Sequence, residues 1–406
     1  MGTYEMTLNS TRTHRRAAGH EQVDMQLFAD NICKEAWKDW PNEAGADELV
    51  ETIKKKGWRT SVSFAQRSDP CVGIFAKAQS MFAPSHLNNN VALHRNLPGV
   101  ASEAPPGAGH RTGSSKLFLA TDTSILQDIN PDTLESLGSR NQSQLHPDLD
   151  GPLSCAHPQR DPKTGDLFNV NLHLGRSPTY RLFRVSASTG ITDILAAVSG
   201  PDIRPAYIHS FFLTENYLIL CIPSSHFHWD DAKILWERNL LDAMKSFDKS
   251  NLCRWIVVDR HGKGVVARFS TPAAFFFHSI NAFEEHVCDE NIERTEICMD
   301  YIHFDTTDIM LSCYYDVILN RNDAAKKYWL QDDAYERLNP RLVRQRFTLP
   351  LSRQTPREAA TATGMEVFSI PNPHAGELPT MTEMGRAEAG FPIAVGLHGL
   401  HAPAVA

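Results

Sequence analysis

Cysteine is scarce in this 406-residue chain, and the eight that occur, at positions 33, 71, 155, 221, 253, 288, 298 and 313, form no C-x-x-C pair. That spacing excludes a zinc ribbon and a disulfide-built scaffold, and it fits free thiols in a reducing cytosol. Long apolar runs are missing too. Stretches such as Ala273–Phe277 and Tyr217–Ile222 fall far short of the ~20 residues that cross a bilayer. The first 20 residues carry Arg12, Arg15 and Arg16 but no apolar core, so no secretory signal is expected. Nor is there an excess of positive charge: 40 Lys+Arg face 48 Asp+Glu, a net charge of −8, which argues against a nucleic-acid binder. What the chain does have is 42% hydrophobic and 22% charged residues, enough to bury a sizeable core. It also has 18 histidines, more than a plain scaffold needs.

The organisation changes near Trp58. Residues 1–57 form an N-terminal segment with two short helix candidates. Met25–Trp37 has helical spacing of apolar groups, and Glu48–Lys56 places acids first and lysines last, as the helix dipole favours. Residues 58–406 read as all-β. Short apolar or alternating runs at Ser115–Ala120, Leu167–Leu174, Tyr180–Val185, Tyr217–Ile222, Trp255–Asp259, Val265–Phe269, Phe275–His278, Ile297–Phe304 and Met310–Val317 are separated by turn chemistry. The clearest turns are Asn130-Pro131-Asp132, Asp161-Pro162-Lys163-Thr164-Gly165 and the hairpin signal His261-Gly262-Lys263-Gly264. Many short strands imply a sandwich, barrel or propeller, and without a repeated motif such as a WD dipeptide, periodicity alone does not choose among them. Residues 340–390, rich in Arg, Thr, Pro and Ala, read as a long loop or a damaged region.

Three histidines sit at the ends of strand-like runs: His157 in Ser154–Pro158, His209 in Tyr207–Tyr217 and His278 in Phe275–Glu284. A fourth, His398, lies in Val395–Leu400. Ligands so dispersed cannot come from one helix or hairpin, which excludes an H-E-x-x-H zincin. They converge only if successive sheets point inward to one axis, as in a propeller. Neutral imidazoles suit Fe(II), Zn or Cu. Most single histidines are satisfied buried or surface groups, and two other pairings, His226 with His228 and His398 with His401, offer weaker metal-ligand spacing.

In their settings these residues resemble the carotenoid cleavage oxygenase family, which includes the retinal-pigment-epithelium isomerase and the lignostilbene dioxygenases. The resemblance is carried by AHPQRDPKTGDLFN around His157, YIHSFFLTENYLIL around His209, FFHSINAFEE around His278 and GLHGL around His398, with INPDTLE at Ile129–Glu135 and GELP at Gly376–Pro379. Asp39–Gly45 and Ser63–Cys71 are similar to the fungal branch. The resemblance implies a seven-bladed β-propeller with Fe(II) on its axis, held by His157, His209, His278 and His398. It also implies O2-dependent scission of a conjugated C=C bond into two carbonyl products. Four neutral ligands leave a 2+ charge in an apolar cavity, so outer carboxylates that orient the rings are expected. These map to Asp122, where the family usually has Glu, facing His209, and to Glu377, supporting His278. Thr121 stands where stilbene cleavers typically carry Lys, which favours a carotenoid or apocarotenoid substrate. Phe211, Phe212 and Phe283 are candidates for lining an apolar tunnel, and as ordinary core aromatics at least equally so.

The chain departs from the family in two places. A blade expected near residue 50 is missing, and after GELPTM only Thr382–Pro392 intervenes before the last histidine. The expected propeller is therefore incomplete, and the carboxylate that would support His398 has no evident substitute. Two alternatives stay open: a stilbene-cleaving enzyme of the same fold, and an inactive propeller that binds an apolar isoprenoid or a protein partner. The expected partners are an apolar polyene and O2, with a cytosolic location that allows peripheral contact with the lipid where polyenes reside.

Overall fold

The structure is a computed structural model that describes residues 62–65, 87–88, 92–98 and, with interruptions of which 350–360 is the longest, 117–371. The helix candidates at 25–37 and 48–56, Glu377, His398 and His401 lie outside the described residues. Apart from one parallel pairing of Val62–Ser63 with Leu87–Asn88, the strands fall into four sheets of four or five strands. The first is an antiparallel meander of β1 (Ala92–Arg95), β2 (Leu117–Ala120), β3 (Ile125–Ile129) and β4 (Ser136–Asn141). The second joins β5 (Leu153–Ser154) and β6 (Gln159–Arg160) to β7 (Leu167–His173), followed by β8 (Thr179–Val185) and β9 (Thr192–Val198). The third runs β10 (Phe212–Leu213), β11 (Tyr217–Ile222), β12 (Cys253–Asp259) and β13 (Gly264–Thr271). The fourth contains β14 (Ser279–Asp289), β15 (Ile292–His303) and β16 (Arg341–Thr348). Of the last two strands, β17 (Thr361–Thr363) adds in parallel to β13, and β18 (Met365–Pro371) completes the fourth sheet.

Local chemistry explains the turns. Gly262 and Gly264 take left-handed φ values of 98° and 71°, which only glycine adopts without steric cost, and close β12 onto β13 with Asp259 opposite Gly264. The Asp161 carboxylate accepts the N–H groups of Lys163 and Thr164 at 2.6 and 3.1 Å, an Asx turn. Burial works against the charge on Asp161, but Arg260 and these N–H groups hold its pKa below the usual carboxylate value.

Consecutive sheets stack face to face, as propeller blades do. Phe118, Ala120 and Leu126 of the first sheet share a core with Leu167, Phe183 and Val185 of the second. Val170, Leu172 and Leu182 of the second share one with Leu218, Leu220 and Ile256 of the third. Ile219, Trp255, Val257 and Phe269 of the third meet Ile297, Met299, Val343 and Phe347 of the fourth. Central strands are consequently buried on both faces: β7 is buried at every position from Leu167 to Leu172, which is why such runs read as continuous rather than alternating. The all-β propeller class expected from the sequence is what the described residues form, with four blade-like sheets among them.

Polar clamps cross these interfaces. Arg260, after β12, pairs with Asp161 of the second sheet, donates to the Thr214 and Glu215 carbonyls at 2.6 and 2.9 Å and stacks over Phe168. Glu284 on β14 accepts three bonds from the β10–β11 turn, from Thr214 Oγ1 at 2.6 Å, the Asn216 N–H at 2.7 Å and Asn216 Nδ2 at 2.8 Å.

Three expectations are corrected. Phe275–His278 forms no strand, only an isolated bridge of Phe275 to Phe304. Met310–Val317 is not a strand: Asp308–Cys313 is a 3-10 helix and Tyr315–Ile318 an α-helical turn. Met310 and Tyr314, four residues apart, are buried while Leu311 is exposed, a helical period and not alternation. The 340–390 stretch is not all loop either, because Arg341–Thr348 is an inner strand of the fourth sheet. Its arginines hide the pattern, yet Arg344 pairs with Asp300 and Arg346 with Glu285 while Val343, Gln345 and Phe347 are buried.

Two measurements test this account of stability. Glu284→Ala breaks three charge-assisted bonds and is expected to destabilise the fold by about 2–3 kcal/mol in urea unfolding. His226 is buried, and burial, with Lys245 and Arg204 nearby, pushes its pKa down from 6.5 to about 4. Its contribution is full above the ordinary value and lost as pH falls from about 6.5 towards 4. His226→Asn is therefore expected to shrink the drop in melting temperature between about pH 7.5 and pH 5.

Candidate metal centre

The inner ends of three sheets bring His157, His209 and His278 together. His157 lies in the link between β5 and β6, His209 just before β10 and His278 just before β14. One nitrogen from each ring falls within 4.8 Å of the others, although 52 and 69 residues separate the three along the chain. Their ring centroids stand 4.7, 5.1 and 5.1 Å apart, all edge-on.

Backbone ties hold this convergence. Asn169 Nδ2 donates to the Cys155 carbonyl at 3.2 Å, and the Cys155 thiol donates to the His209 carbonyl at 2.8 Å. Ser210 joins the other two strand ends, since its hydroxyl donates to the Phe277 carbonyl at 2.6 Å and accepts the Ser279 N–H at 2.8 Å. The residues flanking His278 are thereby tied to the residue following His209.

Asp122 occupies the tip of the β2–β3 turn. Thr121 and Thr123 shape that turn through a 2.7 Å contact between their hydroxyls and a 3.0 Å bond from the Thr123 N–H to Thr121 Oγ1. The Ser154 N–H donates to the Asp122 carbonyl at 2.9 Å, fixing the turn against β5. The carboxylate, only 3% exposed, places Oδ1 3.0 Å from Nδ1 of His209. A carboxylate accepts and does not donate, so Nδ1 carries the proton and Nε2 presents a lone pair. The Tyr207 hydroxyl donates to Asp122 Oδ2 at 2.7 Å and lies 2.9 Å from the same Nδ1. Burial first, and then the Asp122 charge, raises the Tyr207 pKa well above its ordinary value, which keeps the phenol protonated as a donor.

The donor set fits a divalent transition metal. Nε2 of His157 and Nε2 of His209 stand 3.1 Å apart. Two imidazole nitrogens each about 2.1 Å from one ion and at right angles to each other would stand roughly 3 Å apart. The ring faces around them are apolar: Phe277 meets His209 edge-on at 5.5 Å, and Phe275 and Tyr207 stack beyond it. A small cavity bordered by Asp122, Ser154, Cys155, Tyr180, Tyr207 and Ile208 adjoins the network.

Other residues singled out in the sequence go elsewhere. Phe211 and Phe212 are fully buried in two different cores. Phe283 lies under the Arg344 guanidinium, 5.0 Å from its ring centre, and does not join the imidazole cluster. Thr121 is 5% exposed with its hydroxyl engaged inside the turn. His226 and His228 belong to no group of three potential ligands among the described residues. The residues that sequence reasoning passed over are Tyr207, Ser210 and Cys155. Tyr207 had a usable signal, because in extended chain it shares a face with His209 two positions later.

Known proteins place this geometry in context. The family model described as retinal pigment epithelial membrane protein matches residues 45–384. A torulene dioxygenase of Gibberella fujikuroi is 42% identical over 465 aligned positions, covering 93% of this chain and 80% of that protein. A carotenoid dioxygenase of Neurospora crassa is 44% identical over 383 positions, covering 85% of this chain and 62% of the relative. Because 465 aligned positions exceed 93% of 406 residues, the first alignment opens gaps here, as internal deletions require. Among solved structures, a variant of Synechocystis apocarotenoid oxygenase aligns at 19% identity and TM-score 0.48, covering 74% of this chain and 52% of that one. The chain thus spans about half the length of that structure. With a family model covering most of its length and fungal relatives above 40% identity, the chain belongs to the retinal pigment epithelial membrane protein family, the carotenoid oxygenases.

Proposed function

We propose that this protein is a non-haem Fe(II) dioxygenase that cleaves a conjugated C=C bond of a carotenoid or apocarotenoid with O2 to give carbonyl products. The observation that carries the reading is the meeting of His157, His209 and His278 in a chain similar to torulene and carotenoid dioxygenases. In this reading His157, His209, His278 and His398 would hold the iron, with Asp122 and Glu377 as the supporting carboxylates. Ferrous iron held there would activate ground-state O2 for attack on the alkene, whose own C=C electrons reduce the two oxygen atoms as they become the two carbonyls.

The chain's own residues perform the rest. Asp122 keeps the proton of His209 on Nδ1 and so leaves Nε2 as a ligand atom, and its negative charge offsets part of the charge a cation would bring into a partly buried site. Tyr207 packs on His209, and Phe277 on His209 and His278, with Phe275 behind them, an aromatic wall that limits water on that side of a reactive centre. An uncharged Thr121 supports a hydrocarbon polyene over a phenolate-bearing stilbene. Delivery of such a substrate from lipid fits peripheral membrane contact. No helix among the described residues is long and apolar enough to cross a membrane.

The gaps against the longer relative favour one second reading, a homologue that binds a polyene without turnover. Anaerobic iron titration with product chromatography separates the two. The dioxygenase reading expects one Fe(II) per chain, aldehyde products from torulene-type or apocarotenal substrates, and none from resveratrol. His209→Ala is expected to lower product formation at least 100-fold. A protein that takes up no iron sinks the dioxygenase reading. One that binds iron and polyene but forms no aldehyde establishes the second.

A further inference from the structure

Asp122 raises a question of reach. The acid that the family resemblance places here is Glu, one methylene longer, yet Asp122 Oδ1 stands 3.0 Å from Nδ1 of His209. The second carboxylate oxygen accepts the Tyr207 hydroxyl at 2.7 Å, and the phenol oxygen itself stands 2.9 Å from Nδ1. Three polar groups thus close a buried triangle. Tyr207 and His209 are 4% and 5% exposed and Asp122 is 3% exposed. The phenol ring is held independently of its hydroxyl, 5.2 Å from the Phe64 ring and 6.3 Å from Phe275. The backbone is anchored as well, since the Tyr207 N–H donates to the Ser225 carbonyl at 3.0 Å and Ser225 Oγ donates to the Tyr207 carbonyl at 2.8 Å.

We propose that Tyr207 is a positioning residue for the metal ligand His209: its hydroxyl locks the short Asp122 side chain in the rotamer that reaches Nδ1 and offers Nδ1–H a second acceptor. The inference rests on the metal-centre reading. A two-oxygen carboxylate on a short stem can rotate away from a ring it reaches through one oxygen only. Fixing the other oxygen with a donor that is itself clamped removes that freedom. The phenol accepts from Nδ1–H while donating to Oδ2, so both groups favour the same tautomer and the same ring orientation. Second-sphere partners of this kind typically contribute 10–100-fold to metal affinity.

The test uses the full-length apo-protein and Co(II) alone, with affinity read from the visible ligand-field bands. Tyr207→Phe keeps the ring contacts and removes only the hydroxyl. It is expected to bind Co(II) 10–100-fold more weakly than the parent while the melting temperature of the apo-protein shifts by no more than about 2–4 °C. Asp122→Asn is expected to lose affinity similarly. The double variant is expected to be no weaker than the poorer single variant, because members of one network couple. If Tyr207→Phe binds as tightly as the parent, or if the two losses multiply in the double variant, the positioning role is overturned while the metal centre stands. A parent protein that binds no Co(II) overturns the metal reading and this inference with it. Independently of any variant, 15N spectra of the histidine-labelled apo-protein are expected to show His209 as the Nδ1–H tautomer, and an Nε2–H tautomer overturns the proposal.

Discussion

Nitrogen lone pairs do not gather without a reason. Two imidazole Nε2 atoms 3.1 Å apart, with a nitrogen of the third ring within 4.8 Å, set lone pair against lone pair, an arrangement that a proton or a cation between them relieves. Everything around the cluster serves to hold it in place. The Ser210 staple, the Cys155 thiol and the Asn169 amide tie the three strand ends to one another. The clamps at Arg260 and Glu284 keep the sheets that carry those ends in fixed relation. Side chains spread over more than a hundred residues thereby act as one site.

The same division of labour runs through the energetics. Apolar cores between successive sheets, with Phe269 stacked on Phe347 and Trp255 edge-on to it at one interface, supply the non-directional attraction that brings blades together. That attraction does not set register or tilt to a fraction of an ångström. Buried hydrogen bonds do, because leaving any of their partners unsatisfied costs about 1–3 kcal/mol. The inner edge of the molecule is accordingly dense in side chain to backbone bonds, where an error in geometry would scatter the imidazoles.

Much of the fold was legible along the chain. Turn residues at Asp161–Gly165 and His261–Gly264 announced themselves because each turn needs a particular residue: an Asx acceptor in one, glycines with positive φ in the other. Strands such as Leu167–His173 were visible as apolar runs. Met310–Val317 was misread because its apolar content, not its spacing, caught attention. Arg341–Thr348 was missed because arginines that pair with Asp300, Glu285 and Glu296 look, in isolation, like a solvated loop. Only a neighbouring strand reveals that those charges are neutralised. The aromatic candidates Phe211, Phe212 and Phe283 show the converse, since residue type alone does not say whether a ring faces a site or a core.

The sequence by itself determined the chemistry on offer: histidines in distinctive strand-end settings, a short acid in the Thr121–Ser124 turn, no excess of basic residues and no C-x-x-C pair. Tyr207, which sequence reasoning passed over, stands two positions from His209, a spacing that puts both on one face only where the chain is extended. Only the tertiary structure decided that Asp122, 85 and 87 residues away from that pair, completes a triangle with them. Local pattern specifies which way a side chain points from its own strand. Which strand end lies opposite is decided by how whole sheets pack, and that depends on all the buried surfaces at once.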